Sequence, residues 1–311
     1  RGGGPQSANL RSHRSPVGGS VSCMDPRLAA LAAAQHGVLS SGDARRIDVP
    51  AVQLDTLERA GELVRVRRGA YVLGAPYRSA DPEERYRLRT RAILRTRPAP
   101  DAASHHAAVL LHQVDTFDVD LKVIDVASLV KDVRLRSGLR THPGATLRVN
   151  TMPTCRVVTL PTALCQVAGW SGTVAAVCSM DDALHDRRCT VDQLTSATSV
   201  LPEYQRSAAE RAIALTDAAS ESVGETRTRL LLRDLGFRVT SQFKVTRGRQ
   251  VIARSDFLVE DLVIVEFDGL VKYAGAQGRD ALAAEKARES DIVDLGYEVV
   301  RLIWADLSHP D

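Results

Sequence analysis

Four carboxylates in the last third of the 311-residue chain have the spacing to do chemistry together: Glu225, Asp256, Glu266 and Asp268. Glu266 and Asp268 stand two apart at the end of the apolar run LVIVEFDG, so in a strand they share a face. Asp256 lies in the preceding run QVIARSDFLVE, and adjacent strands bring such side chains within a few ångströms of each other. Glu225 opens an amphipathic segment three residues after Ser222. Acids gathered at a strand end repel one another, and a cation relieves that repulsion. The hard ions Mg²⁺ and Mn²⁺ prefer carboxylate oxygens and keep several waters. Such an ion can neutralise a phosphate and activate a water to attack it. Plainer roles are open to each residue. Glu225 can complete a capping box with Ser222. Asp256 can be a strand-edge acid, and Glu266 and Asp268 solvated strand-end acids.

The surrounding pattern supplies elements to hold these acids. SVGETRTRLLLRDLGF reads as a helix with Leu230, Leu231, Leu232 and Leu235 inward, stopped at Gly236. RVTSQFKVT and QVIARSDFLVE read as strands around the turn Arg247-Gly248-Arg249. LVIVEFDG suits a central strand, and Gly269 after it allows a tight turn. A helix over Arg279–Leu295 and a buried strand in YEVVRLIWADL follow. The order helix, strand, strand, strand, helix, strand resembles the core of the PD-(D/E)XK nuclease superfamily, and its Vsr-like branch in particular. The phrases that carry this resemblance are SVGETRTRLLLRDLGF, SQF, SDFLVEDLVIVEFDGLVKY and EKARESDIVDLGYEVVRLIWADL. It implies a Mg²⁺- or Mn²⁺-dependent DNA endonuclease. Asp256, Glu266 and Asp268 would be its metal ligands, and Glu225 a catalytic or metal-orienting acid. The superfamily's usual lysine, two residues after the second acid, is here Asp268. Lys272 and Lys286 are the candidates to replace it, although both also read as surface lysines. Arg288, Asp291 and Arg301 occupy other recurrent positions, where salt bridges are their expected role.

Asp25 to Gly74 reads as helices followed by a two-stranded wing, with the turn Arg67-Arg68-Gly69 between Leu63–Val66 and Ala70–Leu73. Leu28, Leu31, Ala32 and Val38 suit the first helix, Ser41 or Asp43 starts the second, and Gln53–Ala60 forms the third. The phrase GVLSSGDARRIDVPAVQLDTLERAGELVRVRRGAYVL resembles the N-terminal winged helix of AbiEi-type antitoxins. Arg65, Arg67 and Arg68 put positive charge on the wing, where it could meet DNA phosphates. A wing used only for protein contacts is the other reading.

The region between is less informative. Asp81 to Pro98 reads as a helix whose alternate arginines do not share one face, which favours arginine stems over apolar surface rather than a phosphate-binding stripe. ASHHAAVLLHQV reads as a helix capped by Ser104. No nearby carboxylate completes a metal site with His105, His106 and His112, so packing roles are expected of them. The five cysteines form no CxxC pair, which argues against a zinc ribbon and suits a reducing cytoplasm. A net charge of +3 names no partner. No apolar run approaches the roughly 20 residues of a membrane span.

The expected organisation is therefore α/β and multi-domain: a disordered leader over 1–24, a winged helix-turn-helix over 25–76, a mixed α/β region over 77–219 and a nuclease-like α/β/α core over 220–311. DNA is the expected partner, and the middle region leaves room for a homo-oligomer or protein contact. The rival expectation is a non-catalytic DNA-binding regulator or antitoxin-like protein that retains a nuclease fold.

Overall fold

A computed structural model gives the fold of residues 24–144, 147–269 and 278–308. The leader Arg1–Cys23 and Lys272 lie outside the described residues. The fold is α/β, and the described residues form sheets of three, six and four strands.

The first unit comprises α1 (Pro26–Ala34), β1 (Val38–Ser40), α2 (Ser41–Arg46), α3 (Ala51–Arg59), β2 (Leu63–Arg67) and β3 (Ala70–Leu73). Asp25 caps α1, and Ser40 with Asp43 forms a complete capping box on α2. Gly69, at φ +75°, takes the left-handed turn between β2 and β3. The strands run antiparallel in the order β1-β3-β2. Leu28, Leu54, Leu57 and Leu63 pack beneath them. Val38, expected on the first helix, is in β1 opposite Val72. The left-handed pair His36 and Gly37 ends the helical path before it.

Next come α4 (Gly74–Ser79), α5 (Pro82–Leu94), β4 (Ala102–Ala103), α6 (His105–Leu111), β5 (Ile124–Ser128), β6 (Arg134–Arg136), β7 (Leu139–Pro143), β8 (Val149–Thr151) and β9 (Arg156–Val158). Helices α7 (Leu160–Ser171), α8 (Thr173–His185), α9 (Val191–Thr198) and α10 (Glu203–Ile213) complete this part. The arginines of α5 and the turn after it are used within the protein. Arg85 donates to the carbonyls of Tyr77 and Arg78, and Arg89 to those of Leu121 and Lys122. Arg87 and Arg91 pair with Glu84, Arg95 with Asp43, and Arg97 with Asp101. The opposite face of α5 buries Tyr86, Leu88 and Ile93 in one core with Val38, Ala70 and Val72 of the wing. The winged helix is thus packed onto the middle of the chain.

The last unit is α11 (Val223–Asp234), β10 (Val239–Arg247), β11 (Gln250–Val259), β12 (Val263–Phe267), α12 (Gly278–Asp294) and β13 (Glu298–Leu302). Its sheet runs β10-β11-β12-β13. The first two junctions are antiparallel and the last is parallel, with α12 as the crossover that a parallel pair requires. The leucines of α11 are only part of its inward side: Leu230 and Leu232 are half-buried against apolar clusters. Gly224, Glu225, Thr226, Thr228 and Arg229 are buried, and Leu235 is exposed. Arg229 decides this orientation. Its guanidinium is fully buried and bonds Asp181 of α8 at 2.6 Å, which holds the polar face of α11 against the middle helices.

Candidate functional site

Glu225 sits in the first turn of α11, whose N-cap Ser222 accepts the Glu225 N–H. The Ser222 hydroxyl donates to Glu225 Oε1 at 3.1 Å, while Oε2 accepts from the Glu221 N–H and the Gln242 amide, each at 2.9 Å. The carboxylate that caps α11 is therefore also bonded to Gln242 of β10. Burial, then the neighbouring charge of Asp256, pushes the Glu225 carboxyl up to about 7. Gly224 lets α11 come this close to β12, because a Cβ there would stand 1.9 Å from Phe267 Cε1. Gly224→Ala should therefore cost about 1–3 kcal/mol, as overpacked sites do. The check is a urea midpoint, and an unchanged value would mean that Phe267 simply turns aside.

Asp256 is on β11 and Glu266 on β12. The last register pair between these strands is Phe257 with Val265, and one step further the antiparallel register sets Asp256 across from Glu266 on one face. Asp256 Oδ2 accepts the Phe267 N–H at 2.8 Å. Burial raises the Asp256 carboxyl, and Asp268 adds to the shift. Burial also raises Glu266, with Asp256 contributing, while Arg288 and Arg301 oppose it. Asp268 lies just past β12 and is half-exposed, 3.9 Å from Arg301 Nε. Glu225, Asp256, Glu266 and Asp268 thus gather at one end of the sheet. No three of them bring ligand atoms within 4.8 Å of one another, a distance that His105, Asp125 and His142 alone satisfy among the described residues.

The cations beside the acids are arginines. Arg288 Nη2 and Arg301 Nε each approach Glu266 at 3.5 Å. Arg301 also pairs with Glu289, and Asp291 with Arg247. Lys286 is exposed on α12, and no hydrogen bond or ion pair ties it to the acids.

On the wing, the three arginines differ. Arg65 is held by Asp55 and Glu58 of α3. Arg67 donates to the carbonyls of Arg136 and Ser137, at 3.3 and 2.9 Å, at the β6–β7 turn. Arg68 is exposed and has no ion-pair or hydrogen-bond partner among the described residues, and the same is true of Arg45 on α2. The wing arginines are thus not equivalent: Arg65 and Arg67 are committed to internal partners, whereas Arg68, in the turn between β2 and β3, is not.

The middle region holds a cluster that sequence reading missed. Three histidines without an acid were expected, but the fold brings Asp125 of β5 and His142 of β7 to His105. His142 Nε2 donates to Asp125 Oδ1 at 2.7 Å, and Arg140 Nε bonds the same oxygen at 2.6 Å. The His105 and His142 rings stack with centroids 3.9 Å apart. Ser104 does not cap α6 with its side chain; its hydroxyl meets His105 Nδ1 instead. Burial, and then His142, holds the His105 imidazole well below the usual histidine range, so its ring is neutral. His112 lies apart and bonds the Val158 carbonyl. A buried acid inside the apolar run VIDVAS was the available signal for this cluster.

Residues 26–74 match the model of a family described as a transcriptional regulator, AbiEi antitoxin. This match accounts for the winged-helix unit of the fold. No curated protein matches the chain. No helix among the described residues is long and apolar enough to cross a membrane.

Proposed function

We propose that the protein is a DNA-binding regulator of the antitoxin kind. The observation that carries this reading is the regulator-family match over the winged helix, residues 26–74. In such domains the second helix of the helix-turn-helix enters the major groove and the flanking elements meet the backbone. Here α3 would enter the groove, while Arg45 and Arg68 meet phosphates. Arg65 and Arg67 keep the wing rigid through their internal partners. Double substitution of Arg45 and Arg68 by Ala should weaken duplex binding and reduce the salt slope by about 2, one per lost phosphate contact. Arg65→Ala should change the slope little. A titration in which Arg65→Ala lowers the slope and the double variant does not would reverse these assignments.

A second reading has its own support, the convergence of Glu225 with the half-buried Asp256 and Glu266 at the end of a sheet, together with the element order of a nuclease core. Mg²⁺ is commonly held by one or two carboxylates and completed by waters and substrate phosphate. Asp256 and Glu266 fit that requirement, with Asp268 at the rim and Glu225 positioned beside Asp256. The bound ion would supply charge neutralisation and an activated water. Arg288 and Arg301 offer phosphate-binding cations where a lysine was expected. Under this reading Mn²⁺ promotes nicking of supercoiled DNA, and Asp256→Asn and Glu266→Gln abolish it. A preparation that binds DNA but never cuts it leaves the regulator reading alone.

A further inference from the structure

Strand β6 carries charge that packing does not explain. It is an edge strand of the six-stranded sheet, and Arg134, Leu135 and Arg136 are all exposed. It returns to β7 through the two-residue turn Ser137-Gly138, with both residues left-handed at φ +50° and +71°. Turns of this kind match the twist of the flanking strands and fix a hairpin's geometry. The pleat sets Arg134 and Arg136 on one face of the strand, about 7 Å apart, and Leu135 on the other. Neither arginine side chain has an ion-pair or hydrogen-bond partner among the described residues, and the exposed Lys131 before the strand has none either. Asp132 is the one acid between Lys131 and Arg140. The arginines of α5 are different, because carbonyls and acids within the protein take up their donors.

The hairpin is tied to the wing. Arg67 donates to the carbonyls of Arg136 and Ser137 at 3.3 and 2.9 Å, which seats the β6–β7 turn against the winged helix. Arg68, the next residue, is exposed and has no partner among the described residues. Arg67 thus joins two elements that each carry unpaired arginines.

We propose that the β6–β7 hairpin is a second DNA-contacting arm, in which Arg134 and Arg136 meet backbone phosphates beside those met by the wing. This rests on the regulator reading of the winged helix. A small anion would call for a concave, enclosing site. These side chains are instead exposed on a sheet edge, which suits a polyanion held by several separate contacts. Two cations on one face of a strand suit successive phosphates of one nucleic-acid strand, and the link through Arg67 makes the arm continuous with the wing. Contacts of this kind fix register on the duplex and read no sequence.

The test is an anisotropy titration of the full chain over a salt series with two labelled duplexes, one of about one helical turn (~10 bp) and one of about two. The short duplex is filled by the winged helix, and its salt response is set by Arg45 and Arg68. On the longer duplex the arm adds two phosphates, so the wild type should lose about tenfold more affinity between about 50 and 200 mM salt. Arg134→Ala with Arg136→Ala should make the response the same on both duplexes. Arg134→Lys with Arg136→Lys keeps the charge and should behave as the wild type. An equal response of the wild type on the two duplexes, or a steeper one that survives in the alanine variant, would overturn the arm and leave the winged-helix reading standing. Binding to the longer duplex alone, lost in the alanine variant, would support the arm and remove the winged-helix reading. Failure to bind either duplex ends both. Binding to phosphatidylserine vesicles that the alanine variant loses, with its DNA binding unchanged, would assign the arginines to a membrane surface and overturn the proposal.

Discussion

Arg229→Met is expected to destabilise the protein by about 3–5 kcal/mol, the cost of stranding one partner of a buried ion pair. Arg229 is fully buried, and its partner Asp181 is 1% exposed. Asp181 Oδ2 accepts from Arg229 and from Thr226, and Oδ1 accepts the Asp217 N–H. Arg229 also donates to the Leu215 carbonyl. Burial nonetheless pushes the Asp181 carboxyl up, so attraction to Arg229 does not fully offset the loss of water. The pair is therefore worth little against an apolar replacement of both members, yet removing one member is costly. A double variant, Arg229→Met with Asp181→Leu, should recover much of the loss. Urea unfolding of the wild type, both single variants and the double variant measures this. Additive losses in the double variant would contradict the account.

The second large effect is at Glu225 and depends on pH. Its folded carboxyl stands at about 7 against an ordinary 4.5. An acid raised in the folded state takes up its proton first there, so it adds stability as pH falls from about 7 toward 4.5, and above 7 it carries the full penalty of a buried charge. At ~1.36 kcal/mol per pH unit, that penalty is about 3 kcal/mol at pH 8. Glu225→Gln should therefore be the more stable protein at pH 8 without divalent metal, and the gap should close by about pH 5. Comparing the two proteins at each pH cancels the opposing contribution of the neutral histidines His105 and His106, which lose stability in acid. A gap that is absent at pH 8 or that widens in acid would show that Glu225 is not a charge held against burial and Asp256.

Local signals in the sequence were strong where chain-local physics decides the outcome. The helix start at Ser41, the Gly69 turn and the element order from α11 to β13 follow from residues close in sequence, although the cap itself is Ser40. The pairing of β11 with β12, which sets Asp256 across from Glu266, follows from two apolar runs separated by a short turn. Long-range partners were not legible. Nothing near Arg229 announces Asp181, so the buried polar face of α11 was not visible beside its leucines. Arg67 looked free because Ser137 is far along the chain, and His105 looked isolated because Asp125 and His142 reach it only through β5 and β7.

The most direct test of the regulator reading is fluorescence anisotropy of a labelled duplex titrated with the full chain over a series of salt concentrations. The account predicts saturable binding that weakens linearly on a log–log scale, with a slope near −2 from the phosphates met by Arg45 and Arg68. Asp256→Asn and Glu266→Gln should leave that binding intact, because the acids lie outside the matched winged helix. Absence of binding at low salt, or binding lost in the acid variants and kept when Arg45 and Arg68 are replaced, would contradict it.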